Sequence, residues 1–286
     1  MAPARNKVVV LGAGGLLGRA VMAAARAAGR PAVGLLHAAC DVAEPGAVRA
    51  ALERERPALV VNAAAATDVE RCEREPVWAW RVNALGARRV AAAAAAVGAR
   101  LVHVSTDYVF DGAKGAAYDE SDPPRPLSAY GRSKLAGERA VLALLPGALV
   151  VRTAWLFGPG GTNFVSRMPE LLRRQGQLEA IADRWSSPTA ADDLAAWILA
   201  CAERAAGGLY HVVNPGVLSY AEAARAIARA LGLDPARAVV ERPAAAYRFA
   251  AARPRCSALC SLALPAEGLP ALRPAAEALA ALARSG

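Results

Sequence analysis

The stretch KVVVLGAGGLLG, residues 7–18, joins a short apolar run to glycines at positions 12, 15 and 18. The spacing is G-x-x-G-x-x-G, and Gly12 with Gly14 also forms G-x-G. Glycine allows a tight strand-to-helix turn and lets a pyrophosphate reach the helix N-terminus, where free amides and the helix dipole favour negative charge. Because glycine is common at such turns, the series predicts a dinucleotide site only when a strand precedes it and a helix follows.

Apolar runs and helical patterns alternate through the first half of the chain. Runs rich in Val and Leu predict strands over residues 7–12, 32–36, 58–63, 100–105 and 148–153. Helical patterns lie between and after them, over residues 16–28, 45–54, 77–96 and 130–145. Apolar strands that are each followed by a helix are typical of a parallel sheet covered on both faces. We therefore expect an α/β protein with a Rossmann-type, doubly wound parallel sheet, and a dinucleotide bound at the glycine series.

After residue 152 the alternation becomes irregular. A Gly-rich loop, a strand with a turn, a helix, a second strand and a second helix are predicted at 157–164, 178–189, 190–206, 208–213 and 220–231. The tail from residue 234 is rich in Pro, Ala and Arg and has weak periodicity. We expect residues 1–155 to form an NAD(P)-binding Rossmann domain, to which later segments, roughly 179–215, return. Residues 156–286 are expected to form mainly a smaller C-terminal α/β substrate-binding domain.

Composition narrows the class of protein. The 286 residues carry 34 Lys and Arg against 25 Asp and Glu, a net charge of +9 that raises nucleic acid as a partner. The arginines are scattered, without a run of five basic residues, so a solvated surface is the better explanation and we expect no nucleic acid. Apolar residues make up 55%, enough for a core, but no run approaches the ~20 residues that cross a bilayer. We expect no membrane partner and a cytoplasmic location.

The cysteines and histidines show no metal-ligand spacing. There are five cysteines, an odd number without a Cys-x-x-Cys pair, and three histidines. Zinc sites need such paired spacings. We therefore expect free thiols and no metal.

The end of the second predicted strand bears on the choice of cofactor. NAD-preferring folds often carry an acid there for the ribose diol, but this strand ends with Leu36 and His37. Asp41 comes later and suits the loop beside the adenine. The missing acid leaves room for a 2′-phosphate, which Arg19 could pair with, the alternative being that Arg19 is a solvated helix residue. We expect NADPH and leave NADH open.

The segment SAYGRSK places Tyr130 and Lys134 four residues apart, on one face of a predicted helix. An ammonium there can lie under the phenol oxygen, lower the pKa of the phenol and reach the cofactor ribose. The alternative is an accidental pair on a solvent face. Lysine occurs only three times in this arginine-rich chain, and a guanidinium could not act in the same compact way. The pair predicts a proton donor and its activating lysine.

The segment STDYVFDG, residues 105–112, follows the fourth predicted strand. Ligands of α/β sheets bind at the carboxyl ends of the strands, so Ser105 and Thr106 are expected at the mouth of the cofactor crevice. The Thr106 hydroxyl can donate a hydrogen bond to a substrate carbonyl while Tyr130 supplies a proton and the nicotinamide a hydride. Turn chemistry alone would explain Asp111 and Gly112 but not the other residues as a set.

These segments together resemble a known family. The chain is similar to an extended short-chain dehydrogenase/reductase and, within that class, resembles the dTDP-4-dehydrorhamnose reductase family. The glycine and Tyr/Lys motifs are shared across the superfamily, whereas STDYVFDG with RTAWLFG and a late RP segment are typical of this family. The segments that carry the resemblance span nearly the whole chain: GAGGLLG, NAAAATDVERCE, VNALGARRVA, STDYVFDG, YGRSKLAGE, VRTAWLFG, NFV, SPTAADDLA, GLYHVVN and RPRCSAL.

The resemblance implies a set of site residues. The implied catalytic residues are Thr106, Tyr130 and Lys134. The implied cofactor contacts, besides Tyr130 and Lys134, are Gly12, Gly15, Leu16, Leu17, Gly18, Asp41, Val42, Ala63, Ala64, Ala65 and Ser105. The implied substrate contacts, besides Thr106, are Thr67, Val69, Tyr108, Trp155, Asn163, Arg253 and Arg255. For Tyr108 and Trp155 the alternative is core packing, and for the two late arginines it is a solvated loop.

The resemblance also implies an activity. It is the NAD(P)H-dependent reduction of the 4-keto group of a dTDP-4-dehydro-6-deoxyhexose, above all dTDP-4-dehydro-L-rhamnose to dTDP-L-rhamnose. Two departures from the family pattern, Trp185-Ser186 and Cys260, bear on the exact sugar. The alternatives are a reductase of another keto-sugar or small ketone, and a catalytically silent NADP-binding regulatory subunit resembling the methionine adenosyltransferase beta subunit. The intact Tyr130 and Lys134 pair argues against a silent subunit. A homodimer is left open.

Overall fold

The computed structural model describes residues 6–285. Its centre is a sheet of six strands in the spatial order β10-β5-β4-β3-β1-β2, all paired in parallel. In chain order these strands are β1 (Val8–Leu11), β2 (Ala32–Leu35), β3 (Leu59–Asn62), β4 (Arg100–Thr106), β5 (Leu149–Thr153) and β10 (Gly208–His211). The α/β class and the Rossmann-type parallel sheet predicted from the sequence are confirmed.

Helices cover both faces of this sheet, which explains why its strands are apolar on both sides. Helices α1 (Leu16–Ala27) and α8 (Ala191–Cys201) supply side chains to the apolar cluster on one face. The cluster on the other face takes side chains from α2 (Ala47–Glu55), α5 (Ala87–Ala96) and α6 (Ala129–Leu144). No helix within residues 6–285 is long and apolar enough to cross a membrane.

A third apolar cluster, beyond the carboxyl ends of the strands, joins most of the later elements. Strands β7 and β12 pair in parallel there, apart from the main sheet, and β6 pairs with β9 and β8 with β11. The strands are β6 (Leu156–Phe157), β7 (Leu178–Ile181), β8 (Trp185–Ser186), β9 (Thr189–Ala190), β11 (Leu218–Ser219) and β12 (Val239–Arg242). The helices there are α7 (Phe164–Gln175), α9 (Tyr220–Ala230), α10 (Pro235–Ala238) and α12 (Ala275–Arg284). Helix α11 (Ala263–Ala266) instead packs on β10 and adds Leu264 to the cluster on the first face of the main sheet.

The helix predicted over residues 77–96 is divided in the structure. It begins as α4 (Pro76–Trp80), widens to a π-helix over Arg81–Gly86 and continues as α5. The π-helix carries the buried side chain of Asn83, whose Oδ1 accepts from Ala66 N at 2.8 Å. Its Nδ2 donates to Ser133 Oγ at 3.0 Å, and such single π turns often lie at functional sites. The short helix α3 (Val69–Arg74) precedes it.

Two later helices were not predicted from the sequence: one follows the predicted Gly-rich loop and the other lies in the weakly periodic tail. Helix α7 begins at the end of the expected Gly-rich loop, because the Asn163 side chain accepts from Ser166 N and caps it. Helix α12 buries Leu279 and Leu282 against α9. Because the sequence of α12 is rich in alanine, its apolar face is hard to recognise from periodicity. The helix is stabilised mainly by tertiary packing.

Candidate active site

A cavity of about 400 Å³ lies at the carboxyl ends of β1, β3, β4 and β5. Ligands of open α/β sheets bind in the crevice at this edge, at the carboxyl ends of the strands. Its lining comprises Gly15, Leu16, Leu17, Gly18, Ala63, Ala65, Thr67, Val104, Ser105, Thr106, Asp107, Tyr130, Lys134, Thr153, Ala154, Trp155, Leu156 and Asn163. The three residues predicted to be catalytic therefore line one cavity, together with most of the predicted cofactor contacts.

The three glycines of the turn between β1 and α1 have different roles. Gly12 has a φ of +74°, and a Cβ there would lie 2.7 Å from Ala64 N. A Cβ on Gly18 would collide with the Gly12 carbonyl oxygen, so these two glycines serve the turn itself. Gly15 caps α1 and faces the cavity, where a Cβ would come no nearer to protein atoms than 3.3 Å. Of these three glycines, only Gly15 lies beside open space that a ligand could occupy.

Arg19 is an exposed residue of α1, as the second alternative set out from the sequence expected, but its guanidinium is not free. Its Nη1 donates to Gly14 O at 2.6 Å and its Nη2 to Gly160 O at 3.1 Å. The guanidinium therefore joins the glycine turn to the Gly-rich loop before α7, although the residue is exposed. Backbone carbonyls already occupy two of its donors, so we no longer assign Arg19 to a 2′-phosphate.

A second cavity of about 530 Å³ adjoins the first through Gly15, Ala63 and Ala65. It is lined by Gly12, Gly15, His37, Cys40, Asp41, Val42, Ala63, Ala64, Ala65, Ala66, Arg71, Trp78 and Val82. Asp41 accepts from Ala43 N at 2.8 Å and so shapes the loop after β2. Arg71 lies 3.9 Å above the Trp78 ring, a cation–π contact that the sequence did not suggest. Asp41, which was expected beside the adenine, lines this cavity, whereas Arg19 does not.

Tyr130 and Lys134 occupy the first turns of α6, which Ser128 caps by accepting from Gly131 N. Both side chains are buried, and Lys134 Nζ donates to Val104 O at 2.6 Å. Burial lowers the pKa of Lys134 to about 8, while the charge of Glu138 acts in the opposite direction. Burial also raises the pKa of Tyr130 above its ordinary value, partly offset by the Thr106 hydroxyl. The lowering of the phenol pKa expected from Lys134 and the bound nicotinamide together stays a prediction.

Ser105 anchors the end of β4 rather than standing free. Its hydroxyl donates to Glu138 Oε1 at 2.5 Å, and Arg152 Nη2 donates to Glu138 Oε2 at 2.7 Å. Glu138 and Arg152 are each only 3% exposed. A buried ion pair needs its remaining donors and acceptors satisfied, and this one is hydrogen-bonded to Ser105. The network fixes β4, β5 and α6 relative to one another under the cavity.

The substrate-side residues meet in a cleft beyond the cavity. Trp155, which has a φ of +39°, stacks on Tyr220 with ring centroids 3.7 Å apart. Tyr108 packs edge-on against Tyr130, with centroids 5.7 Å apart. Both aromatic residues are therefore packed, yet Tyr108 and Trp155 also border a small cavity with Arg184, Tyr220, Phe249 and Arg253. Packing and ligand contact are not exclusive alternatives here.

The late arginines differ in their surroundings. Arg253 donates to Glu70 Oε1 at 2.9 Å and lies 4.1 Å above the Phe249 ring, so it is held in the cleft. Arg255 is exposed and lies 5.6 Å above the Trp185 ring. A further cavity of about 340 Å³ lies beside Arg253 and is lined by Phe164, Glu179, Ala180, Ile181, Tyr220, Tyr247, Phe249 and Arg253.

The remaining predicted substrate contacts lie at the edge of the first cavity or in the packed cluster beneath it. Thr67 is exposed and lines the first cavity, while Val69 is half-buried and packs against the cluster that contains Tyr130. Asn163 also lines that cavity, but its amide caps α7 and donates to Leu156 O at 3.0 Å. Thr67 is the freest of the three to meet a ligand.

Several site residues were missed by sequence reasoning. They are Arg71, Asp107, Thr153, Arg184, Tyr220 and Phe249. Thr153 ends β5 directly beside Thr106 of β4, so the rule that ligands bind at strand ends could have found it. Arg184 and Phe249 lie in irregular segments, where the sequence carries no such positional signal.

Three features fit a dinucleotide in the joined cavities. Gly15 leaves open the space that a Cβ would take at the helix N-terminus. The Thr153 hydroxyl is buried without a hydrogen-bond partner. Lys134 shows one hydrogen bond for its three ammonium protons. Within residues 6–285, no group of three or more His, Cys, Asp or Glu could hold a metal ion.

A parallel Rossmann-type sheet with a glycine turn, and with Tyr130, Lys134 and Thr106 in one cavity, defines a short-chain dehydrogenase/reductase. The family model described as RmlD substrate binding domain matches residues 6–285. A dTDP-4-dehydrorhamnose reductase of Mycobacterium tuberculosis is 41% identical over 288 residues, 98% of this chain and 93% of the relative. The chain belongs to the dTDP-4-dehydrorhamnose reductase family, as its motifs predicted.

Two further relatives bear on cofactor and substrate. The crystal structure of a dTDP-4-dehydrorhamnose reductase from Bacillus anthracis, in complex with NADP, is 33% identical, with a TM-score of 0.92. The alignment covers 97% of this chain and 98% of that one. A dTDP-4-keto-6-deoxy-D-glucose reductase of Streptomyces niveus is 40% identical over 257 residues, 89% of this chain and 88% of the relative.

Proposed function

We propose that the chain reduces the 4-keto group of dTDP-4-dehydro-L-rhamnose to give dTDP-L-rhamnose, with NADPH as reductant. The observation that carries this proposal is the meeting of Tyr130, Lys134 and Thr106 in a cavity that the glycine turn also lines. That cavity continues, through Trp155, into an aromatic and arginine-lined cleft. The chain is thereby an NAD(P)H-dependent ketoreductase of its family, as the motifs predicted.

The reduction adds a hydride to the carbonyl carbon and a proton to the carbonyl oxygen; the bound nicotinamide supplies the hydride. Tyr130 donates the proton, since its hydroxyl lies in the cavity beside Thr106. Lys134, buried four residues along the same helix, stabilises the phenolate that remains. Thr106 binds the carbonyl oxygen at the end of β4.

The two arginines beyond the cavity suit a diphosphate. The space that both border is only about 20 Å³, so we place the nucleotide at the edge it shares with the neighbouring cavity of about 340 Å³, which Arg253 also lines. Arg184 and Arg253 bring two guanidinium groups to the smaller space, and the Nε atoms of both are buried without a partner. Guanidinium groups pair well with phosphate oxygens. The rings of Trp155, Tyr220 and Phe249 offer faces for a base or a sugar. The predicted nucleotide-sugar contacts at Tyr108, Trp155 and Arg253 are retained here as proposals.

NADPH is the proposed reductant because the end of β2 carries no acid and because the Bacillus anthracis relative is in complex with NADP. His37 and Arg71 line the adenosine-side cavity. Both can carry positive charge, which favours a 2′-phosphate. An acid at this edge would favour the ribose diol of NADH instead.

The alternatives receive less support. A silent regulatory subunit has no use for a buried tyrosine and lysine in the same cavity. A small ketone would leave the arginines of the cleft without a phosphate partner. The Streptomyces niveus relative is a reductase of a different dTDP-4-keto sugar, so we keep the sugar as the point to be tested. Trp185 and Ser186, which depart from the family pattern, lie beside this cleft.

A turnover panel tests the proposal. Purified wild-type enzyme is supplied with dTDP-, UDP- and GDP-linked 4-keto-6-deoxy sugars and with NADPH or NADH, and cofactor oxidation is followed by absorbance. We expect the highest kcat/KM with dTDP-4-dehydro-L-rhamnose and NADPH. No turnover of any dTDP-linked sugar, or equal turnover of a simple ketone, would contradict the proposal. Tyr130→Phe serves as the inactive control.

The remaining expectations from the sequence stay predictions. They are the division into a Rossmann domain over 1–155 and a substrate domain over 156–286, the cytoplasmic location and the open question of a homodimer. Within residues 179–215, β10 joins the main sheet and α8 packs on it, whereas β7 pairs with β12 outside it.

A further inference from the structure

A buried carboxyl, Asp107, lies next to Thr106 in a cage of hydroxyl groups. It is 2% exposed and lines the cavity that contains Tyr130. Its Oδ1 accepts from Thr106 Oγ1 at 3.0 Å. Its Oδ2 accepts from Ser186 Oγ at 3.1 Å and from Ser257 Oγ at 2.5 Å. Ser186 and Ser257 belong to two substrate-side segments, so one carboxyl joins them to the end of β4.

The hydrogen bonds of Thr106 leave it little freedom. A threonine hydroxyl has one proton to donate and two lone pairs to accept with. One lone pair accepts from Tyr108 N at 3.1 Å, and the proton is donated to Asp107. In this arrangement Thr106 has no proton for a substrate carbonyl. The role expected of Thr106 therefore requires that Asp107 stop accepting from it.

Resting on the proposed reduction, we propose that Asp107 is a positioning residue that sets the direction of hydrogen bonding at Thr106. When its carboxyl is protonated, it donates to Thr106 Oγ1, and the Thr106 proton is free for the substrate carbonyl. When its carboxyl is ionised, it takes that proton, and Thr106 can only accept. Ser186 and Ser257 keep the carboxyl oriented in both states, because each hydroxyl can donate to Oδ2.

The Asp107 carboxyl can be protonated because it is buried. Burial raises the pKa of Asp107 to about 6, against the lowering effect of hydrogen bonds from Ser257, Thr106 and Ser186. A substrate that brings negative phosphates and displaces water from the cavity would raise the pKa further, because both effects disfavour a second anion. Asp107 can thus be protonated in the substrate complex near neutral pH.

The other titratable and charged groups around Asp107 are three phenols, two arginines and Lys134. Tyr108 lies on the turn after β4, Tyr130 on α6 and Tyr220 at the start of α9, and the Asp107 charge raises the pKa of each phenol. Arg184 and Arg253 oppose that effect at Tyr108 and Tyr220. Lys134 lines the same cavity. The phenols stay neutral in the range where Asp107 titrates, but the pKa of Lys134 is lowered to about 8. Only the part of the pH dependence that Asp107→Asn removes is therefore assigned to the carboxyl.

The test is the pH profile of Asp107→Asn. The asparagine amide can donate permanently to Thr106 while its oxygen accepts from Ser186 and Ser257, which imitates the protonated acid. Wild-type kcat is expected to fall about tenfold per pH unit above the pKa of the carboxyl in the complex. In Asp107→Asn the ratio of kcat at about pH 6 to kcat at about pH 9 should shrink by about tenfold or more. A primary isotope effect with deuterated NADPH verifies that hydride transfer limits kcat.

Two outcomes would overturn the inference. One is a profile for Asp107→Asn with the wild-type shape, whatever its height, since a merely structural carboxyl would give that result. The other is a wild-type profile without the descending limb. Asp192→Asn, on an exposed aspartate at the start of α8, is the matched control and should keep the wild-type profile. Thermal unfolding of each variant monitors folding.

A measurement without turnover separates this inference from the proposed function. The carbon resonance of the Asp107 carboxyl, assigned by its loss in Asp107→Asn, is titrated in the NADP⁺-bound wild-type enzyme and in Thr106→Val. Removing the Thr106 donor should shift the titration to higher pH, because Thr106 stabilises the ionised form. An unshifted titration overturns the inference even if the enzyme is inactive on every sugar, whereas inactivity with a shifted titration contradicts only the proposed function.

Discussion

The indole of Trp155 stacks on the ring of Tyr220, with centroids 3.7 Å apart and planes inclined by 15°. The contact joins the segment after β5 to the first residue of α9, and so connects the Rossmann-type sheet to the substrate side. Trp155 adopts a positive φ of +39° to reach it. A bulky residue in that backbone region carries strain that its surroundings must offset. The stack is therefore expected to order the cleft.

Breaking this stack should weaken substrate binding. Aromatic pairs contribute about 0.5–1.5 kcal/mol beyond buried area, so Tyr220→Ala should raise KM for the nucleotide sugar by roughly twofold to tenfold or more. Cofactor affinity should change less, because Tyr220 does not line the two cofactor cavities. Tyr220→Phe keeps the ring and is the matched control. Equal KM values for Ala and Phe variants would show that the stack does not shape the cleft.

Gly15→Ala should weaken cofactor binding before it weakens folding. A Cβ at Gly15 would lie 3.3 Å from Gly12 O, a tight contact that a small backbone shift can relieve, and it would take space proposed for the pyrophosphate. We expect NADPH affinity, titrated by fluorescence, to fall about tenfold or more, which corresponds to about 1.4 kcal/mol. Gly147→Ala, with no atom within 4 Å of its Cβ, is the control. Unchanged affinity in Gly15→Ala would remove the glycine turn from the site.

Cofactor choice should respond to charge at residue 37. The His37 side chain is exposed and lines the adenosine-side cavity. His37→Asp places an anion where a 2′-phosphate is proposed, so the ratio of kcat/KM for NADPH to that for NADH should fall by about tenfold or more. His37→Asn keeps the side chain polar without the charge. A wild-type enzyme that strongly prefers NADH would make the argument from the missing acid wrong.

The buried carboxyl should also influence stability with pH. The folded-state pKa of Asp107, about 6, lies above its ordinary value of 3.8. Its contribution is therefore fully present below about pH 4 and is lost as the pH rises through about 6, because folding then requires burying an anion. The total loss is roughly 3 kcal/mol. Urea unfolding should show Asp107→Asn gaining stability on the wild type between about pH 4 and about pH 8; parallel curves would contradict this.

The sheet was predictable and the site only in part, for physical reasons. Apolar strands and glycine turns are local signals, so β1, the glycine series and the Tyr130–Lys134 spacing can be recognised without knowing what surrounds them. The function of Asp107 depends on Ser186 and Ser257, which are 79 and 150 residues away along the chain. Sequence reasoning assigned Asp107 no role because hydrogen-bond partners so distant in sequence leave no local pattern.

Charged residues were harder to place than apolar ones. Arg19 was weighed as a phosphate ligand or a solvated residue, yet it binds two backbone carbonyls, one of them 141 residues away. The π-helix at Arg81–Gly86 escaped prediction because its cause is tertiary: the buried amide of Asn83 satisfies Ala66 and Ser133. Periodicity indicates which face of a helix is buried, but not which polar groups it must satisfy.

Proton delivery by Tyr130 is the prediction on which the enzyme's mechanism depends. Burial raises the pKa of its phenol, so the phenol carries its proton at neutral pH, and stabilisation of the phenolate by Lys134 is what allows it to donate. General acid catalysis contributes about 10²–10⁴-fold, so Tyr130→Phe should lower kcat by about that factor. NADPH affinity should change little in this variant, because the ring and α6 remain, whereas Lys134→Ala should lose both turnover and cofactor affinity.

Single-turnover kinetics with dTDP-4-dehydro-L-rhamnose, together with NADPH titrations, would separate these two effects. Tyr210→Phe is the matched control. It removes a buried phenol hydroxyl that donates to Glu267 outside the active-site cavity, and it should keep wild-type turnover. The phenol hydroxyl is the only group that Tyr130→Phe removes. Any large loss of turnover must therefore come from the proton or hydrogen bond that this hydroxyl supplies. A Tyr130→Phe enzyme that retains most of its activity would therefore require another donor, and Thr106, whose proton is held by Asp107, would be the first to examine.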